Sequence, residues 1–138
     1  MRLVLIALSL VAVLARPARA EEGPDAREVR RVIAAQIDAF ARDDADAAFG
    51  FAAPPIRARF GTAARFLDAV RLAYPVLVRP RSVAFSGLRQ AGEGLVQKVE
   101  VVGADGRGAL ASYDMEHEPD GRWLIAGCSL GRSERLEL

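Results

Sequence analysis

Four polar side chains stand out in this sequence because they fall where a protein core is expected. Gln97, Tyr113 and His117 alternate with outward-facing residues on predicted strands, and Tyr74 ends a predicted helix. Polar groups inside a protein must be paired, so these four can bond to one another, to the backbone or to buried water. Alternatively, they line a mostly apolar pocket and bind a ligand there.

Acid–base catalysis in such a pocket would need a carboxylate or a histidine on the inner face of the sheet. Strand alternation instead turns Asp114 and Glu116 outward, and the acids near residue 44 are expected to cap helices. A lyase or isomerase would therefore rest on Tyr113, Tyr74 or His117. No catalytic residue is assigned, and a non-enzymatic binding role is favoured.

Three consecutive residues, Glu116, His117 and Glu118, are of types that bind metals. In a strand, the two carboxylates would point to one face and the imidazole to the other. A zinc site needs three or four protein ligands, and the chain has one histidine and one cysteine. No metal and no cofactor is expected.

The single cysteine, Cys128, cannot form a disulfide within the chain. Its surroundings favour a small buried residue in a strand. A reactive thiol or an intermolecular disulfide is the alternative, but only Arg132 offers positive charge nearby.

The strands that would position these side chains occupy the second half of the chain. Alternating apolar runs predict strands over residues 82–88, 95–102, 109–118 and 122–130. Asp105-Gly106 and Asp120-Gly121 lie in two of the connections, and Asp-Gly between apolar runs is typical of hairpins. The four strands are therefore expected to form an antiparallel meander, with Trp123 in the core.

Helical periodicity dominates the first half of the chain. An apolar stripe predicts an amphipathic helix over about 26–42, and the spacing of Asp25 and Glu28 resembles a capping box. A short second helix is expected over about 45–51, followed by a further turn over 55–60.

A third helix is predicted from its cap, Thr62, to about residue 73, because Pro75 forces the preceding residue out of the helical region. Three helical segments followed by four strands predict an α+β fold. The helices are expected to pack on one face of a curved sheet.

The last strand is apolar on both faces, which predicts a second contact surface. Trp123 and Ile125 alternate with Leu124, Ala126, Cys128 and Leu130. A sheet with one solvated face should carry polar residues in one of these sets, so a second copy of the chain is expected to cover the outer set as a homodimer. A bulge at Gly127 is the alternative, because it would turn Cys128 and Leu130 inward.

The first twenty residues have the pattern of a secretory signal peptide. Arg2 precedes an apolar run over 3–14, and Ala18-Arg19-Ala20 forms a small-residue cleavage site. The run is shorter than the roughly 20 residues that cross a bilayer, so no stable membrane anchor is expected after cleavage. Residues 21–138 would then form a single periplasmic or secreted domain.

Cleavage would also change the charge of the protein. The leader takes three arginines and no acid from the net charge of +1, which leaves −2. A faintly acidic domain without a basic stripe gives no electrostatic case for binding nucleic acid.

Many short motifs in this order resemble a family of small exported bacterial proteins that is catalogued as a domain of unknown function. They are Ile37-Asp38-Ala39-Phe40, Asp43-Asp44, Ala53-Pro54, Arg59-Phe60-Gly61, Arg65-Phe66, Tyr74-Pro75, Arg79-Pro80, Tyr113, Asp120-Gly121-Arg122-Trp123 and Ile125-Ala126-Gly127-Cys128. The resemblance covers the whole chain after the leader. It implies the cystatin-like cone of the nuclear transport factor 2-like, or SnoaL-like, fold, whose members include isomerases, dehydratases and non-catalytic binding or dimerisation modules.

These observations predict an exported domain that binds a small apolar ligand or a protein partner without catalysing a reaction. Tyr74, Gln97, Tyr113 and His117 are the candidate residues that line its pocket. A cone-fold lyase or isomerase and a homodimeric interaction module are the alternatives.

Overall fold

The computed structural model of the protein describes residues 23–132. The predicted leader over 1–20, its cleavage site and the polar tail over 133–138 lie outside the described residues.

Helices occupy the first half of this region. They are α1 (Pro24–Ala41), α2 (Ala45–Gly50), α3 (Pro54–Phe60) and α4 (Ala63–Ala73), followed by a 3-10 turn at Pro75–Leu77. The three predicted helices correspond to α1, α2 and α4, and the further turn predicted over 55–60 is α3.

Strands occupy the second half. They are β1 (Ser82–Ala91), β2 (Gly94–Val102), β3 (Gly108–His117) and β4 (Trp123–Arg132). Each strand pairs antiparallel with its chain neighbours, so the sheet order is β1-β2-β3-β4. The predicted α+β fold with a four-stranded antiparallel meander is confirmed.

Side-chain caps begin two of the helices where the sequence predicts them. Asp44 accepts a hydrogen bond from the Ala47 amide at 3.1 Å, and Thr62 accepts one from the Arg65 amide at 3.3 Å. These bonds satisfy amides that have no partner within the first helical turn, which is why α2 and α4 begin at these points.

The predicted capping box at the start of the first helix is wrong. Gly23 precedes α1 without a side-chain cap, and Pro24 starts the helix, where a missing N–H costs nothing. Asp25 instead accepts a hydrogen bond from the Trp123 indole at 3.2 Å, and Glu28 pairs with Arg31. Asp25 therefore connects the first turn of α1 to the start of β4.

The core lies between the helices and one face of the sheet. The apolar stripe of α1 is buried, and Phe66 of α4 packs its ring against those of Phe40, Phe49 and Phe60 at 6.0, 5.5 and 5.6 Å between centroids. Trp123 is 5% exposed, which confirms that it is a core residue.

A bulge in β4 changes which of its residues face the helices. Ile125 pairs with Met115 and Gly127 pairs with Asp114, so Ala126 has no cross-strand partner. After this extra residue, Cys128 pairs with Tyr113, which is fully buried on the helix-facing side.

The assignment of Leu124, Ala126, Cys128 and Leu130 to one outer face is therefore wrong, and the alternative bulge accounts for the pattern. Leu130 pairs with the buried Ala111, and both Cys128 and Leu130 pack against the core. The apolar outer patch that motivated a homodimer is not formed as predicted. Dimerisation itself stays a prediction without that support.

The connection between α2 and α3 runs along the free edge of β4. The Ile125 amide donates to the Phe51 carbonyl, and the Ala53 amide donates to the Ile125 carbonyl, both at 2.8 Å. This short parallel bridge at Ala52 holds the start of α3 beside the bulge. None of the helices within residues 23–132 has the length and apolar character needed to cross a membrane.

Candidate functional site

A cavity of about 360 Å³ opens between the helices and the last two strands, and we call it the helix–sheet cavity. Its apolar wall includes Phe40, Phe60, Phe66, Val70, Leu77 and Ile125. Its polar lining residues are Gln36, Arg59, Tyr74, Tyr113 and Cys128. The cavity is thus an apolar space with a few polar groups on its walls, as small-molecule sites usually are.

Small side chains explain why this space is not filled. Ala69 and Ala73 lie one turn apart on α4, and both line the cavity together with Ala126 and Gly127 of the bulge. The bulge bends β4 away from regular pairing, while α3 is held at the strand edge by the bridge at Ala52. The small residues of α4 and of the bulge therefore leave space between these two elements.

Tyr113 lies in the wall of the cavity at the centre of the sheet. It pairs with Gln97 on one side and with Cys128 on the other, and it is fully buried. Its hydroxyl has no hydrogen-bond partner of standard geometry, although the Cys128 thiol lies beside it. Burial raises the pKa of this hydroxyl well above its ordinary value, and the neighbouring thiol adds to the rise.

Tyr74 lies in the same wall, and its hydroxyl is occupied. It donates a hydrogen bond to the Cys128 carbonyl at 3.0 Å, across 54 residues of chain. This bond connects the end of α4 to β4 just after the bulge. The hydroxyl oxygen can still accept a hydrogen bond from a ligand.

The Cys128 thiol is an unreactive part of the wall. Burial raises its pKa to about 12, and the nearby Tyr113 hydroxyl only partly opposes this rise. A thiol with such a pKa stays protonated at neutral pH, and the thiolate is the nucleophile. The arrangement favours the buried-residue interpretation of Cys128 over the reactive one.

Gln97 is buried but does not line the cavity. Its side-chain amide donates to the carbonyls of Ser86, Gly87 and Lys98 at 3.1, 3.3 and 2.8 Å. Ser86 and Gly87 form an irregularity in β1, where the register shifts between Phe85 and Leu88. Gln97 thus supplies the donors that the irregular backbone lacks.

His117 also lies outside the cavity. It is exposed, stacks on Trp123 with 4.6 Å between ring centroids, and its Nε2 is 3.2 Å from the Gly121 carbonyl. The structure therefore brings Tyr74 and Tyr113 together in the cavity wall, whereas Gln97 and His117 do not line the cavity.

Sequence reasoning missed three polar residues of the cavity: Gln36, Arg59 and Cys128, the last of which was assigned to the outer face. Gln36 is 3% exposed and donates to the Ala48 carbonyl at 3.1 Å. Its position on the apolar stripe of α1, between Ile33 and Phe40, was an available signal. Arg59 is exposed and stands over the Phe60 ring at 5.5 Å, and nothing in the sequence around it marks it as a cavity residue.

The polar groups of the helix–sheet cavity determine which chemistry is available there. Among the described residues, no aspartate, glutamate or histidine lines it. Burial raises the pKa of the Tyr113 hydroxyl and that of the Cys128 thiol, so both groups are uncharged at neutral pH. What remains is an apolar surface, a guanidinium and a few groups that hydrogen-bond.

Comparisons with protein families and with solved structures each found a match to this chain. The family model described as a domain of unknown function, DUF4864, matches residues 22–138. A crystal structure of an NTF-2-like protein of unknown function from Burkholderia xenovorans LB400 is similar at 15% identity, with a TM-score of 0.49. The match covers 80% of this chain and 88% of that one. No curated protein matches the chain.

Proposed function

The chain belongs to the DUF4864 family, and we propose that it is a non-enzymatic module that binds a small, largely apolar ligand in the helix–sheet cavity. The observation that carries this proposal is an apolar space of about 360 Å³ whose lining contains no carboxylate or imidazole among the described residues. Its volume falls within the roughly 300–1,000 Å³ that is typical of ligand sites.

The state of the polar groups supports binding over catalysis. A general base must be able to take a proton near neutral pH. Burial raises the pKa of the Tyr113 hydroxyl and that of the Cys128 thiol, so both stay protonated. Of the three residues that a lyase or isomerase could use, Tyr74, Tyr113 and His117, the last stacks on Trp123 outside the cavity.

The proposal includes export, with the binding domain periplasmic or secreted after cleavage behind Ala20. The apolar run over 3–14 and the Ala18-Arg19-Ala20 site support it, as does a family match that begins at residue 22, two residues beyond the proposed cleavage site. An N-terminal sequence of the secreted protein that starts at Glu21 is the expected result. Retention of the apolar run in a membrane fraction would contradict export.

A retained ligand is the most direct test of binding. The protein would be purified from the periplasm of its source cells without detergent and analysed by native mass spectrometry before and after solvent extraction. We expect a mass in excess of the polypeptide that extraction removes. The same spectrum reports the oligomeric state and so also tests the predicted homodimer.

A cavity-filling variant tests whether such a ligand occupies the helix–sheet cavity. Ala69→Trp places an indole into the space between α4 and the bulge and should abolish the excess mass. Ala64→Trp adds the same ring to an exposed position of the same helix and should retain it. Equal retention by both folded variants would contradict binding in this cavity.

A further inference from the structure

We propose that the ligand of the helix–sheet cavity is an amphipathic anion, with one apolar chain inside the cavity and one anionic head at Arg59. This inference deepens the proposed function and rests on it. The chemistry that it names is a single negatively charged head, such as a carboxylate or a phosphate, on an unbranched hydrocarbon chain of medium length.

Arg59 is the one charged residue among the described residues that line the cavity. It is exposed, so it lies where the cavity meets solvent. Its guanidinium stands 5.5 Å from the centroid of the Phe60 ring, which itself belongs to the cavity wall. A cation is therefore held beside the apolar surface at the mouth of the cavity.

The Arg59 guanidinium contacts the Phe60 ring but forms no ion pair within residues 23–132. Some surface arginines are paired, Arg31 with Glu28 and both Arg71 and Arg79 with Asp43, whereas others, such as Arg57 and Arg65, form no ion pair in the described part of the chain. The planar guanidinium of Arg59 has donors that match a carboxylate or phosphate in geometry as well as charge.

The interior of the cavity would not hold the head group. The side-chain amide of Gln36 donates to the Ala48 carbonyl, and the Tyr74 hydroxyl donates to the Cys128 carbonyl. The Tyr113 hydroxyl is enclosed beside the Cys128 thiol. Burying a charge is costly unless an opposite charge pairs with it, and the only charged residue among the described lining residues is Arg59 at the mouth. The head is therefore placed at the mouth while the chain lies on the aromatic wall.

The shape of the space limits the chain. About 360 Å³ is at the lower end of the range for ligand sites, which favours one hydrocarbon chain of medium length over a two-chain lipid. The small residues Ala69 and Ala73 leave room along α4 for such a chain.

Isothermal titration calorimetry with four probes of equal chain length tests this inference. The probes are decanoate, decyl phosphate, decanol and decyltrimethylammonium, each below its micelle concentration and titrated into extracted protein. We expect at least one anion to bind about tenfold more tightly than decanol, and the cation to bind more weakly than decanol. The preference should shrink as salt is raised, because Arg59 is exposed. Whichever anion binds more tightly identifies the head group.

A pair of charge-removing variants locates the head. Arg59→Gln should lower the affinity for the anion about tenfold and leave the affinity for decanol unchanged. Arg57→Gln is the matched control, because Arg57 lies on the same helix over the Phe49 ring at 5.2 Å but does not line the cavity. It should leave both affinities unchanged.

The outcomes separate this inference from the proposed function. Equal binding of decanol and the anions, or equal losses in the two arginine variants, overturns the anionic head and leaves an apolar ligand site. Failure of all four probes to bind, together with no retained mass in the native protein, overturns both.

Discussion

The two edge strands, β1 and β4, each contain one irregularity in their pairing, and the two irregularities differ in what lies beside them. In β1 the register shifts between Phe85 and Leu88, and the Gln97 amide donates to the carbonyls exposed there. In β4 the extra residue is Ala126, and the space beside it is left as a cavity. We call the irregularity in β1 the closed end, because the Gln97 side chain bonds to its carbonyls. We call the bulge in β4 the open end, because the helix–sheet cavity lies beside it.

One row of residues connects the two irregularities. Leu88, Gln97, Tyr113 and Cys128 are successive cross-strand partners from β1 to β4. The two buried polar side chains of this row differ in their donors: the Gln97 amide nitrogen donates to three carbonyls, whereas the Tyr113 hydroxyl has no acceptor of standard geometry. The Gln97 side-chain oxygen also has no hydrogen-bond partner. The row therefore runs from an irregularity that a side chain bridges to one that lies beside the cavity.

Removing the donor at the closed end should have the largest effect on stability at neutral pH. Gln97→Leu leaves the carbonyls of Ser86 and Gly87 without their side-chain donor, and we expect a loss of about 2 kcal/mol in the free energy of unfolding. Gln90→Leu, on an exposed residue of β1, is the control and should change it by less than about 0.5 kcal/mol. Urea denaturation measures both. An unchanged midpoint for Gln97→Leu would show that the amide is not what closes the irregular strand.

The open end should respond to alkaline pH. The pKa of the Cys128 thiol is raised from 9.0 to about 12 by burial, so above pH 9.0 the unfolded chain releases a proton that the folded protein keeps. The stability that this group contributes is complete below pH 9.0 and is lost toward pH 12, at most about 1.4 kcal/mol for each pH unit. Denaturation of the wild type and of Cys128→Val across this range measures the effect. Parallel curves for the two proteins would contradict it.

The sequence alone was sufficient to predict the regular strands of this fold, but it was not sufficient to predict the bulge in β4 beside the cavity. Alternation and the Asp-Gly turns predicted the meander, and they placed Tyr113 on the helix-facing side, because both depend on local backbone chemistry. The bulge at Ala126 could not be decided in the same way. Both faces of β4 are apolar around it, so inserting one residue leaves the pattern equally plausible.

The remaining site residues depend on long-range placement. Arg59 reaches the cavity because the bridge at Ala52 holds α3 against β4, a contact between residues far apart in the chain. Gln97 is a structural residue because an irregularity in β1 lies next to it. Neither position is encoded by the spacing of residues around it.

Two tyrosine variants compare a buried hydroxyl that has no hydrogen-bond partner with one that has a partner. Tyr113→Phe removes a buried hydroxyl that has no hydrogen-bond partner, so we expect stability to stay equal or to rise by up to about 1 kcal/mol. Tyr74→Phe makes the same chemical change but breaks the bond to the Cys128 carbonyl, and it should cost about 1 kcal/mol. Thermal and urea unfolding compare the two. A larger loss in Tyr113→Phe would mean that its hydroxyl is bonded in solution.

Replacing two glycines by alanine, one at the irregularity of each edge strand, should have the smallest effect on the free energy of unfolding. A Cβ on Gly87 would meet no atom within 4 Å, so Gly87→Ala should raise the free energy of unfolding by about 0.5 kcal/mol by restricting the unfolded chain. A Cβ on Gly127 would lie 3.1 Å from Oδ2 of Asp114, an exposed side chain that can move, so Gly127→Ala should cost less than about 1 kcal/mol. Because Gly127 lines the cavity and Gly87 does not, only Gly127→Ala should also change the affinity for a bound chain. Urea denaturation measures the effect on stability, and calorimetry with the decyl probes measures the effect on affinity. A change in affinity for Gly87→Ala but not for Gly127→Ala would contradict binding in the helix–sheet cavity.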